Sequence, residues 1–71
     1  MAEEIHAEMV ANVLSVLVRE GQAVAEGDTV VILESMKMEI PVLSEAAGKV
    51  LEVAVDEGDV VQEGDLIATI E

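Results

Sequence analysis

The sequence predicts an all-β domain of about six to eight short strands, and three observations carry that expectation. Shifting the chain by 37 positions lays residues 1–34 over residues 38–71 without a gap, so that only Ser35, Met36 and Lys37 stand between two halves. The apolar residues contain no Phe, Trp or Tyr and are rich in Val and Ile, so the core must be built from β-branched side chains that suit a pleated surface. Glycines fall in paired turns, and nowhere does an apolar stripe keep helical spacing between caps.

The duplication is clearest between residues 13–34 and 50–71, where 11 of 22 positions are identical, among them Val13/Val50, Val18/Val55, Gly21/Gly58, Val24/Val61 and Glu26-Gly27-Asp28/Glu63-Gly64-Asp65. Upstream the identities thin to Glu8/Glu45 and Met1/Met38. Two such units fit a single pseudo-symmetric domain over residues 1–71 better than a repeat array, which needs at least three copies to cover its ends.

In chain order, residues 5–9 read as a short first strand, and residues 13–18 as a valine-rich strand with Leu14, Val16 and Val18 on one face and Val13 and Leu17 on the other. Arg19-Glu20-Gly21-Gln22 and Ala25-Glu26-Gly27-Asp28 bracket a stub at Ala23 and Val24, and each glycine can take the positive φ of a tight turn. Residues 29–35 and 38–44 are the longest apolar runs and form a hairpin. If Met36 and Lys37 are its turn, the pairs are Ser35:Met38, Glu34:Glu39, Leu33:Ile40, Ile32:Pro41, Val31:Val42 and Val30:Leu43, and a register shifted by two matches apolar residues nearly as well. Pro41 cannot donate to a ladder and belongs on a sheet edge. Gly48 is set at the far end of the hairpin, residues 50–55 repeat the valine strand, and residues 66–70 close the sheet.

Seventy-one residues make one small core. With no cysteine and one histidine, His6, a disulfide framework, a thiolate nucleophile and a Cys/His zinc site are excluded. Three basic residues against 16 acidic ones give a net charge of −13, which repels nucleic-acid phosphates and anionic membranes and favours a monomer. No apolar run approaches the length of a membrane span and the first residues lack a signal-peptide pattern, so a cytoplasmic protein is expected. Asp56-Glu57-Gly58-Asp59 has its glycine where a calcium loop needs a ligand, so these acids read as turn formers.

The hairpin tip breaks two local rules. Two-residue hairpin turns favour Asn-Gly or Asp-Gly over Met-Lys, and Glu34 facing Glu39 opposes like charges. Such failures of local preference concentrate at functional sites. Lys37 marks the junction of the duplication between two methionines that an exposed turn does not need. Met36 suits recognition by another protein, Met38 suits either recognition or packing, and Met9 reads as core. An isolated turn lysine is most often only a solvated charge; Lys49, which overlies Asn12, is of that kind.

Glu34-Ser35-Met36-Lys37-Met38-Glu39, with the Val-Leu-Ser-Val-Leu-Val-Arg-Glu-Gly stretch, the two Glu-Gly-Asp turns, Gly48 and Gly58-Asp59, resembles the biotin attachment motif of biotinyl domains, the biotin carboxyl carrier modules of biotin-dependent carboxylases. The resemblance covers nearly the whole chain. It departs at Ala11-Asn12, where the family often has Pro-Gly, and at Ser44-Glu45, where it often has Ala-Pro. The halves also align without the protruding thumb of some acetyl-CoA carboxylase carriers, so a free-standing, thumbless form is expected.

The resemblance implies a flattened barrel of two four-stranded antiparallel sheets, with the Lys37 hairpin at one end and both termini at the other. It implies that biotin protein ligase acylates Lys37 with biotin, recognising Met36 and Met38 within the flanking Glu34, Ser35 and Glu39. Attached biotin would then carry a carboxyl group between biotin carboxylase and carboxyltransferase. The chain itself holds no nucleophile beside a base and no metal cluster, so no catalytic residue is assigned. Two rivals stay open: a lipoyl carrier, whose tip is typically Asp-Lys-Ala, and an unmodified interaction module.

Overall fold

The computed structural model describes residues 2–71; Met1, which the repeat sets against Met38, lies outside them. The strands are β1 (Glu3–His6), β2 (Ala11–Val16), β3 (Ala23–Val24), β4 (Thr29–Ser35), β5 (Met38–Leu43), β6 (Gly48–Val53), β7 (Val60–Val61) and β8 (Leu66–Ile70). They form two four-stranded antiparallel sheets in the orders β1-β8-β6-β3 and β5-β4-β2-β7. This is the all-β, two-sheet architecture expected of a biotinyl or lipoyl domain, drawn out to 33 × 18 × 17 Å.

Exchanging each strand for its counterpart in the other half, β1 for β5, β2 for β6, β3 for β7 and β4 for β8, turns one sheet order into the other. Each half gives two strands to each sheet, so neither sheet exists without both halves. The connections obey the same symmetry. The Ala7 N–H donates to the Asp65 carbonyl and the Gly64 N–H to the Ala7 carbonyl, while Ser44 stands in the same relation to Asp28 and Gly27, all four bonds at 2.8 Å. Glu3 pairs with Ile70, so the ends of the described chain occupy, in one sheet, the place that the Lys37 hairpin occupies in the other.

The core is assembled from counterparts: Val13 with Val50, Val18 with Val55, Val24 with Val61, Leu33 with Ile70, Val30 with Ile67 and Val31 with Ala68. In the last two pairs a larger residue at one position accompanies a smaller one at the next, which keeps the total volume in balance. Ser44 is the buried polar residue among those described; its hydroxyl donates to the Ala46 carbonyl at 2.6 Å and closes the bend after β5.

Four bulges account for several departures from the expected strands. Leu14 in β2 and its counterpart Leu51 in β6 have no partner in the ladder, and the same holds for Val30 in β4 and Ile67 in β8. A bulged residue resets the alternation of side chains. Val13 therefore faces the core together with Val18, while Leu14 is exposed, contrary to the face expected of it. Val30 and Val31 are both fully buried for the same reason, and the outermost hairpin pair becomes Thr29 with Leu43 instead of Val30 with Leu43.

Boundaries shift as well. β1 ends at His6 because Ala7 turns its hydrogen bonds to Asp65 and Gly64, and Met9 then lies in an exposed bend, outside the core predicted for it. β2 begins at Ala11, where it pairs with Val61 of β7, and ends before Val18. Gly48 opens β6 instead of closing a turn. An added Cβ there would run into the backbone carbonyl of Glu71, with its carbon only 2.8 Å away, so glycine permits the close approach of the chain end.

The Gly-Asp turns form as expected. Gly27 has φ +92° and the Asp28 N–H donates to the Ala25 carbonyl, while Asp28 Oδ2 accepts the Ala25 N–H at 2.8 Å. Asp59 and Asp65 accept from Asp56 and Gln62 in the same way, so these carboxylates hold their own turns.

Candidate functional site

The Lys37 hairpin has the register read from the sequence over its inner five pairs: Ser35 faces Met38, Glu34 faces Glu39, Leu33 faces Ile40, Ile32 faces Pro41 and Val31 faces Val42. Leu33 anchors it, 1% exposed, with Ile40 and Val42 packed against the core. β5 is the edge strand of its sheet, which is where Pro41 can sit without breaking a ladder.

Met36 and Lys37 have φ of 54° and 66°, the two positive values that a type I′ hairpin turn requires. Two residues with Cβ atoms thus hold a conformation that costs about 1–2 kcal/mol per residue relative to the right-handed region. The tight turn points its side chains away from the body: Met36 is 91% exposed, Met38 61% exposed, and Lys37 exposed between them. Ser35 and Glu34 are half-buried on β4 and Glu39 is exposed on β5. The structure therefore brings all six motif residues to one tip.

Lys37 makes no ion pair among the described residues, and no cluster of three or more His, Cys, Asp or Glu there is placed to hold a metal. His6 is remote from the tip in the other sheet, with Nδ1 against the Gly64 carbonyl and Nε2 against Glu4 at 3.1 Å. Lys49 lies within β6, where its backbone exchanges both hydrogen bonds with Glu71. A groove of about 800 Å³ runs between the edges of β1 and β5 over Ile5, Leu33 and Val42, but neither Lys37 nor its methionines line it. The sequence could not show the strain at the tip beforehand; its trace was the missing Asn-Gly.

The fold and the tip together define a small two-sheet domain whose hairpin holds out an exposed primary amine between two exposed methionines. A protein-family profile described as "Biotin-requiring enzyme", the biotin/lipoyl attachment family, matches residues 3–70, and the chain belongs to that family. It is 66% identical over 44 residues to a "Biotinylated protein TB7.3 homolog" of Mycolicibacterium smegmatis, a match spanning 62% of either chain.

Two solved structures share the fold. Part of the urea carboxylase of Kluyveromyces lactis superposes with a TM-score of 0.92 at 35% identity, covering 100% of this chain and 6% of that one. The lipoyl domain of the 2-oxoglutarate dehydrogenase complex of Azotobacter vinelandii gives 0.77 at 27% identity, covering 94% of this chain and 95% of that one.

Proposed function

We propose that this chain is a biotin carrier: biotin protein ligase joins biotin to the Lys37 Nζ, and the tethered group serves a biotin carboxylase and a carboxyltransferase. The observation that carries the reading is the exposed Met36-Lys37-Met38 tip, in a family member whose relative is named as biotinylated. The Lys37 amine stands clear of the body, so an enzyme can close around it, and the flanking thioethers offer a flexible apolar surface for the ligase. Amide formation removes the lysine charge. Bound biotin supplies a ureido nitrogen that takes up and gives up a carboxyl group.

The protein contributes position instead of a catalytic group. Its hairpin holds the attachment point rigid, and tethering makes both enzyme encounters effectively intramolecular, at high local concentration. Glu34, Ser35 and Glu39 frame the tip. In this reading residues 1–71 work as one domain, in the cytoplasm and as a monomer, supported by the net charge of −13. No helix among the described residues is long and apolar enough to cross a membrane.

The second reading, a lipoyl carrier, is favoured by the lipoyl-domain fold match and opposed by the methionines on both sides of Lys37. Intact mass of the protein from its natural host, followed by peptide mapping, decides between them. Biotin on Lys37 is the expected result. Lipoate on Lys37, biotin on Lys49, or an unmodified chain would overturn it.

A further inference from the structure

We propose that Met36, and after it Met38, is a site of reversible oxidation to methionine sulfoxide by hydrogen peroxide, and that biotin protein ligase refuses the oxidised tip; the proposal rests on the biotin-carrier reading. The chain has no Cys, Trp or Tyr, so the thioethers of its methionines are the side chains that a mild oxidant attacks first. Met36 is 91% exposed and Met38 61% exposed, whereas Met9 is 36% exposed and borders the groove beside β1. The two most accessible sulfurs among the described residues therefore stand on either side of Lys37.

Nothing in the packing asks for sulfur at these places. Among the described residues the core holds no methionine, so oxidation alters the surface of the tip and leaves the interior as it was. Met36 also sits in the left-handed region at φ 54°, where Asn or Gly would be less strained. Its thioether is held out at a cost to the turn, in the position where another molecule meets it first.

The step is a two-electron oxygen transfer. A sulfur lone pair attacks one peroxide oxygen, the S–O bond forms as the O–O bond breaks, and the departing hydroxide takes the proton from the transferred oxygen, giving sulfoxide and water. Sulfur is oxidised and peroxide reduced. The net charge of −13 favours a neutral oxidant such as hydrogen peroxide over anionic hypochlorite. The product is polar and chiral, with an oxygen acceptor in place of a soft apolar thioether. A ligase surface that accepts two thioethers would have to bury that oxygen without a partner, which opposes binding. Methionine sulfoxide reductase restores the thioether, releasing water as a dithiol becomes a disulfide. Peroxide leaves an amide already formed at Lys37 intact, so the modification acts on the chain that has not yet received biotin.

The test treats the unbiotinylated protein with hydrogen peroxide, removes the excess with catalase, maps the oxidised peptides and then measures ligation by biotin protein ligase. Met36 should gain oxygen first, Met38 next and Met9 last, while the far-ultraviolet spectrum stays that of the untreated chain. Ligation kcat/KM should fall at least tenfold once both tip sulfurs are oxidised. Methionine sulfoxide reductases A and B with dithiothreitol should return it to within twofold of its starting value. Met9→Leu should lose ligation on oxidation as the parent does, and Met36→Leu/Met38→Leu should keep whatever rate it has before treatment. The reductase arm decides the matter if that double variant is too poor a substrate to follow. Oxidation of Met9 ahead of Met36, unchanged ligation of a chain oxidised at both tip sulfurs, a loss that the reductases do not reverse, or an equal loss in Met36→Leu/Met38→Leu overturns the proposal while the carrier reading stands. An untreated parent that takes no biotin overturns the carrier reading and the proposal with it.

Discussion

Glu34 and Glu39 face each other as the second pair below the Met36-Lys37 turn, and neither meets a cation among the described residues. Like charges in such a pair cost about 0.2–1 kcal/mol. Replacing Glu39 by Gln should recover that amount, raising the urea midpoint slightly at low salt and less at high salt, where the repulsion is screened. A variant less stable than the parent at low salt would show that the pair is not under electrostatic strain.

The left-handed turn is a second store of strain. Changing Met36-Lys37 to Asn-Gly gives the turn the residues that favour positive φ at both places. The variant should gain about 1 kcal/mol or more in chemical denaturation, while losing every trace of biotin. No gain in stability would contradict the strained geometry of the tip.

Lys37→Arg keeps the strain and removes the acceptor. Its unfolding free energy should lie within about 0.5 kcal/mol of the parent, as for an ordinary surface change, because the core pairs are distant from the tip. Avidin should not bind it. A large loss of stability would place the Lys37 side chain in the interior.

Gly48→Ala should destabilise by about 1–3 kcal/mol, since the new methyl must displace the Glu71 backbone. Removing Glu71 as well relieves the collision, so the alanine change should cost much less in a chain ending at Ile70. Equal costs in the two backgrounds would assign the effect to β6 itself.

The choice of biotin over lipoate is assigned to Met36 and Met38. Met36→Asp with Met38→Ala leaves the Lys37 amine and the paired strands in place, so the far-ultraviolet spectrum should be that of the parent. Biotinylation by purified ligase should fall at least tenfold. Modification at the parent rate would remove the methionines from the recognition surface.

The sequence by itself determined the local features of this protein. The hairpin was legible because two apolar runs had to meet across a short turn, and the structure chose the register from Ser35:Met38 to Val31:Val42 over one shifted by two. The stub Ala23–Val24, and through the repeat Val60–Val61, was legible because glycine turns bracket it within a few residues. The tip motif was contiguous, and the duplication made Lys37 its centre. Tertiary structure alone decided which strands share a sheet, because each half divides its strands between both sheets and those hydrogen bonds join residues far apart in sequence. It also decided the bulges at Leu14, Val30, Leu51 and Ile67. A bulge answers to the partner strand and to the core beneath it, and a strand read alone shows only its alternation. Leu14 was misplaced for that reason, and Met9 because β1 ends at His6, where Ala7 turns its hydrogen bonds to Asp65 and Gly64.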